Sequence, residues 1–177
     1  LSMPVGFKNA TDGNVQVAID GIRSSAHPHH FLSVTKQGVA AIVATRGNED
    51  CHVILRGGAS GPNFSSDQIG EVVGMLESVG LGGRVMIDCS HANSGKNHEV
   101  QAQVAGEVAA QVAGGSQRIS GLMLESFLVD GSQNAEGVGR DALVHGQSIT
   151  DACMSWERSR PLLDELVAAV RERRRTG

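Results

Sequence analysis

A chain of 177 residues, 40% of them hydrophobic, is long enough to bury the core of one domain. Aromatic residues make up only 3%, Tyr is absent and the formal net charge is −4, which excludes an aromatic nucleic-acid platform and general attraction to a phosphate backbone. No apolar run approaches the ~18 residues of a membrane span, so neither nucleic acid nor membrane is expected as a partner.

Read in order, Pro4 to Lys8 form a short strand ending in Lys8. Thr11-Asp12-Gly13 can turn and cap a helix, on which Val15, Ala18, Ile19 and Ile22 share one face. Residues 31–34 and 40–44 read as two strands joined through Lys36-Gln37-Gly38, a Gly-containing hairpin connection. Val53-Ile54-Leu55 is a buried strand running into Arg56-Gly57-Gly58. Ser65 and Gln68 have capping-box spacing, and Ile69, Val72, Val73, Leu76 and Val79 follow at helical intervals up to Gly80.

The next strand, Val85 to Ile87, closes on Asp88 and releases Cys89, Ser90 and His91 into a turn. Val100, Val104, Val108 and Val112 form a helix stripe, and 119–124 is a strand ending in Glu125. A polar, Gly-rich loop is expected over 130–146. Asp151 then stands at an expected helix start, before a last helix burying Leu162, Leu163, Leu166, Val167 and Val170. Trp156 is expected to anchor that helix by packing, and the basic stretch 171–175 to be a solvated helix end.

Three cysteines, Cys51, Cys89 and Cys153, without paired spacing point to reduced thiols and a cytoplasmic protein. The chain opens Leu1-Ser2-Met3-Pro4 directly before an apparent strand, with no initiator Met and no leading helix; it is expected to be the latter part of a longer polypeptide. Arg56, His91 and Glu125 close successive strands about one βα unit apart, the rhythm of a (β/α) barrel. Four units are present where a closed barrel needs eight. The expected fold is therefore α/β, half of a barrel with an inserted hairpin at about 30–45.

In such a barrel Lys8, Arg56, His91 and Glu125 converge on one mouth, with Asp151 on a loop above it. Imidazole and two carboxylates suit a divalent Mn, Fe, Co or Zn ion. Arg and Lys beside it suit a phosphorylated substrate, Arg through two parallel bonds and Lys as a point charge. The residues alone leave alternatives open: His91 and Glu125 as ordinary strand-end polar groups, or Lys8 as a Schiff-base lysine. His27, His29 and His30 read as loop histidines. Ser94-Gly95-Lys96 fails the phosphate-loop pattern because Ser90 stands where Gly is required. Cys89 reads as a core thiol on the same strand face as His91.

Six blocks carry a family resemblance: PVGFKNATDG (4–13), FLSVTKQG (31–38), CHVILRGG (51–58), VMIDCSHANSGKN (85–97), GLMLESFLVDG (121–131) and SITDACMSWE (148–157). In this order they resemble the second half of the class I, microbial and feedback-regulated, 3-deoxy-D-arabino-heptulosonate 7-phosphate (DAHP) synthases. The resemblance implies residues 1–177 as strands 5–8 of a (β/α)8 TIM barrel. It implies condensation of phosphoenolpyruvate with erythrose 4-phosphate, the first step of the shikimate pathway: C3 of the enol attacks the aldehyde, water adds at C2 and phosphate leaves by C–O cleavage.

By the same resemblance His91, Glu125 and Asp151 are three of four ligands to a divalent metal. Arg56 and Lys8 bind phosphoenolpyruvate, Arg56 at the phosphate and Lys8 at the carboxylate or as proton donor; Lys8, His91 and Asp151 are the catalytic set. Ser2, Phe31, Ser33 and Val43 match the pocket for an aromatic amino-acid effector, and the full-length protein is expected to be a homo-oligomer. The family's fourth ligand, a Cys in a Gly-Pro-Cys loop, has no counterpart here, and neither do the basic residues of its earlier strands. The 177-residue chain alone is thus expected to be inactive, with a catalytically silent half-barrel that retains partial ligand binding as the alternative reading.

Overall fold

The computed structural model describes residues 3–176. Four strands, β1 (Val5–Lys8), β4 (Cys51–Leu55), β5 (Val85–Asp88) and β6 (Ile119–Met123), form one parallel sheet in the order β1-β4-β5-β6. Between β1 and β4 lie helix α1 (Gln16–Ala26) and an antiparallel hairpin, β2 (His30–Val34) with β3 (Ala40–Ala44). Helix α2 (Ser66–Ser78) links β4 to β5, and α3 (Gln101–Ala113) links β5 to β6. Each crossover returns the chain to the same end of the sheet, so Lys8, Arg56, the turn after Asp88 and Glu125 leave their strands on one side.

Strand alternation sorts the two faces. Val53, Leu55, Val85 and Ile87 are fully buried and pack in one cluster with Ile19, Ile69, Leu76, Val104 and Val108 of the helices. The other face carries Gly6, Lys8, His52, Ile54, Met86, Asp88 and Gly121. A Cβ on Gly6 would collide with Ile54, and one on Gly121 would press on Met86 at 3.3 Å. Neither β1 nor β6 has a second strand partner in this sheet among the described residues.

Local signals in the sequence were followed closely. Ser65 caps α2 through the Gln68 N–H while the Gln68 side chain accepts from the Ser65 N–H, a complete capping box. Thr11-Asp12-Gly13 turns, but none of its side chains caps α1: the N-cap position is Val15, and Asn14 just before it accepts from Gln16 N through Oδ1 at 2.8 Å.

The C-terminal part departs further from expectation. Residues 130–146 are not one open loop. Strand β7 (Ser126–Phe127) is followed by β8 (Val129–Ser132), which pairs with β9 (Gln147–Ser148). The Gln133 side chain holds the excursion closed, donating to the Val144 and Gln147 carbonyls and accepting from Val144 N. Asp151 lies in a bend. Strand β10 (Met154–Ser155) intervenes, pairs with β7, and α4 (Trp156–Thr176) begins only after it. There Asp130 Oδ1, reaching in from β8, accepts from Ser155 N at 2.7 Å.

Helix α4 buries Leu162 and Ala169 and half-buries Leu166 and Val170. Leu163 and Val167 stay exposed at 44% and 47%, and Trp156 is 50% exposed and no packing anchor. Helix α4 packs against α3, and the buried line through Leu162, Leu166, Ala169 and Val170 covers only part of the Leu/Val set. Among the described residues no helix is long and apolar enough to cross a membrane.

Candidate active site

The centre of the site is a residue that the motifs did not single out. Asp88 closes β5 with its side chain fully buried. Its Oδ2 accepts from Lys8 Nζ at 2.7 Å and lies 2.9 Å from His91 Nδ1, while Oδ1 accepts from Ser90 N at 2.9 Å and Ser90 Oγ at 2.5 Å. Burial alone pushes this carboxyl up, but the hydrogen bonds from Lys8 and Ser90, with the Lys8 charge, outweigh it and hold the group below its ordinary value.

His91 has left the strand, at φ 53°. That left-handed backbone is costly for a residue with a Cβ. It is held by the Lys96 N–H, which donates to the His91 carbonyl at 2.6 Å. The expected shared strand face of Cys89 and His91 is therefore not formed: Cys89 points into the core, fully buried, with its thiol pushed up to about 12 by burial and the Asp88 charge.

On the other side of the imidazole, His91 Nε2 lies 3.8 Å from Glu125 Oε1. One donor atom each from His91, Glu125 and Asp151 fall within 4.8 Å of one another. Burial raises the Glu125 carboxyl; His91 opposes this, and Asp151 adds to it. Two carboxylates crowded beside an imidazole leave an oxygen-rich pocket, and nitrogen plus carboxylate oxygens at this spread fit a divalent cation between them. Glu125 is fixed through its backbone by Gln101 of α3, buried at 1%: Gln101 Oε1 accepts from Glu125 N at 2.8 Å and Nε2 donates to Glu125 O at 3.3 Å.

Arg56 stands beside this group, in a neighbouring cavity of about 290 Å³ lined also by Thr11, Gly57, Gly58 and Lys96. Lys96 borders the His91–Glu125–Asp151 pocket as well. Three asparagines pin the Arg56 loop. Asn9 Oδ1 accepts from Arg56 N at 2.9 Å, Asn63 Oδ1 from Gly57 N at 2.7 Å, and Asn93 Oδ1 from Asn63 N at 2.9 Å. Asn93 Nδ2 then donates to the Asp88 carbonyl at 2.8 Å. Gly57 has φ 73°, and a Cβ there would meet the 92–93 backbone at 2.7 Å, so only glycine lets the loop approach.

The structure thus brings Lys8, His91, Glu125 and Asp151 together, with Arg56 adjoining. On the hairpin, Phe31 and Val43 are cross-strand partners and Ser33 lies two residues on from Phe31, so the three share a face. Phe31 also borders an apolar groove of about 490 Å³ with Val5 and Phe7. Ser2 lies outside the described residues. Asp88 had a readable signal, an acid closing an apolar strand; Gln101 had none, being one polar residue among several on its helix.

A family model described as "DAHP synthetase I family" matches residues 1–164. The tyrosine-inhibited phospho-2-dehydro-3-deoxyheptonate aldolase of Schizosaccharomyces pombe is 54% identical over 177 residues, covering 98% of this chain and 47% of the relative. The Phe-sensitive enzyme of that name from Escherichia coli K12 is 52% identical over 174 residues, covering 98% and 49%. The solved structure of the aldolase from Francisella tularensis SCHU S4 superposes with a TM-score of 0.90 at 47% identity, over 98% of this chain and 50% of that one. The chain spans about half the length of these relatives. By sequence and by fold, it belongs to the DAHP synthetase I family.

Proposed function

We propose that this chain forms strands 5–8 of a (β/α)8 barrel, with the hairpin at about 30–45 as an insertion, in an enzyme that condenses phosphoenolpyruvate with erythrose 4-phosphate. The observation that carries the reading is the meeting of His91, Glu125 and Asp151 within 4.8 Å, beside a Lys8 held by Asp88 at 2.7 Å. His91, Glu125 and Asp151 would hold a Mn, Fe, Co or Zn ion. When bound, the ion supplies Lewis-acid polarisation of the sugar-phosphate aldehyde.

Arg56 is oriented by its asparagine-pinned loop to take a phosphate through paired N–H donors. Lys8, anchored at Nζ, places a positive charge for the phosphoenolpyruvate carboxylate or a proton for the reacting enol. Phe31, Ser33 and Val43, with Ser2, form part of an effector pocket in this reading. The relatives' names, tyrosine-inhibited and Phe-sensitive, support an aromatic amino acid as its ligand. A homo-oligomeric, cytoplasmic full-length enzyme completes the proposal, supported by three unpaired thiols.

The 177-residue chain supplies three ligands and two substrate cations, and is expected to show no turnover alone. Lys8 is engaged with a buried carboxylate, which speaks against the Schiff-base alternative; borohydride is expected to trap nothing at Lys8. The test joins this chain to the first half of the Escherichia coli relative and assays Mn-dependent DAHP formation. Activity that disappears in His91→Ala supports the proposal; a folded hybrid without activity overturns it.

A further inference from the structure

We infer that Asp88 is a positioning residue that fixes His91 with its proton on Nδ1, and that the same carboxylate oxygen ties this imidazole to Lys8. The consequence for metal affinity rests on the proposed role of His91; the assignment of the proton does not.

Ser90 Oγ and Asp88 Oδ1 are 2.5 Å apart, a separation two oxygens keep only with a hydrogen between them. Asp88 takes the Lys8 ammonium on Oδ2 at 2.7 Å and the Ser90 N–H on Oδ1 at 2.9 Å, the contacts of an acceptor on both oxygens, so the single hydroxyl proton of Ser90 is spent there. Ser90 Oγ then presents only lone pairs to His91 Nδ1 at 2.7 Å, and Asp88 Oδ2 presents only lone pairs at 2.9 Å. A ring nitrogen facing two acceptors must carry the hydrogen.

In a neutral imidazole Nε2 is then bare. It faces Glu125 Oε1 across 3.8 Å, too far for a hydrogen bond. That gap is where a shared cation fits, and a ligating histidine whose other nitrogen donates to a carboxylate is the arrangement that sets tautomer and ring angle at metal sites. Lys8 Nζ donates to the same Oδ2 at 2.7 Å. One oxygen thus fixes an ammonium on β1 and an imidazole after β5, residues 83 apart in number, so moving either group disturbs the other.

The experiment uses the 177-residue chain with ¹⁵N-labelled histidine; its seven histidines are resolved by two-bond nitrogen–proton correlation, and His91 is assigned by its loss in His91→Gln. The wild type is expected to show Nδ1 protonated, the tautomer less favoured by free histidine. Folded Asp88→Asn, checked by circular dichroism, is expected to move the proton to Nε2 and to lower Zn²⁺ affinity about 10–100-fold. Lys8→Met keeps the carboxylate, and is expected to retain the Nδ1 proton with a shifted resonance. This variant also serves if Asp88→Asn does not fold.

An Nε2-protonated His91 in the wild type overturns the inference. So does an unchanged pattern in folded Asp88→Asn. An unmoved resonance in Lys8→Met overturns the shared-oxygen link. A wild type that shows the Nδ1 proton but takes up no Zn²⁺ supports the inference and counts instead against the proposed metal site.

Discussion

Gln101 and Glu125 meet as two complementary amides, the side chain of one pairing with the backbone of the other at 2.8 and 3.3 Å. The pairing leaves the Glu125 carboxylate free to face His91. Gln101→Leu is of similar size but leaves the Glu125 N–H and carbonyl without that partner. Losing it is expected to cost about 1–3 kcal/mol, measured by urea unfolding, and to weaken divalent-metal binding relative to a surface control such as Gln103→Leu.

The fully buried Cys89 gives a prediction about alkali. Its thiol is raised from 9.0 to about 12 in the fold, so the unfolded chain loses that proton first. The stabilisation is complete below pH 9 and lost as pH rises from there towards 12, by up to about 1.4 kcal/mol per unit from this one group. Cys89→Ala is expected to flatten the alkaline limb of a stability–pH curve. In native conditions Cys51 and Cys153, both half-buried, are expected to be alkylated before Cys89, as read by mass spectrometry.

Two leucines that look alike in the sequence separate by burial. Leu55 is 0% exposed in the strand–helix core and Leu163 is 44% exposed on α4. Leu55→Ala is expected to cost about 2–5 kcal/mol through lost burial and a residual cavity. Leu163→Ala should remain within about 0.5 kcal/mol of wild type. Denaturant midpoints of the two variants check this directly.

The hairpin turns a second apolar face outward: Leu32 is 84% exposed, Ile42 72% and Val34 66%. With the edges β1 and β6, which have no second strand partner in the sheet among the described residues, this face is expected to make the isolated chain self-associate. Light scattering on the wild type should report more than a monomer's mass, and Leu32→Lys with Ile42→Glu should reduce it. A compact wild-type monomer contradicts the expectation.

What was legible in the sequence was what short-range chemistry decides. The Ser65–Gln68 capping box, the Val100–Val112 stripe and the apolar strands could be read because their partners lie within a few residues, and the family blocks led to His91, Glu125 and Asp151. Asp88 is readable as an acid closing an apolar strand, but its pairing with Lys8 is not, because the two lie 80 residues apart and nothing near either marks it. Asp151 does not start α4 because β10 intervenes, paired with β7 and tied at Ser155 N to Asp130, 25 residues earlier. Leu163 and Val167 are exposed although their spacing suits a buried face, because hydrophobic spacing says which side chains can share a face, not which of them a neighbour covers.

Every strand of the main sheet except the first is added beside the one preceding it in that sheet, and each contributes its functional group from its trailing end. During synthesis on a ribosome, the cation of Lys8 would emerge first, followed by Arg56 and the imidazole, with the acid at 151 last. The pocket therefore stays open on one flank until the bend at 151 is outside, and any product ending before that bend would leave the imidazole and Glu125 without their third companion.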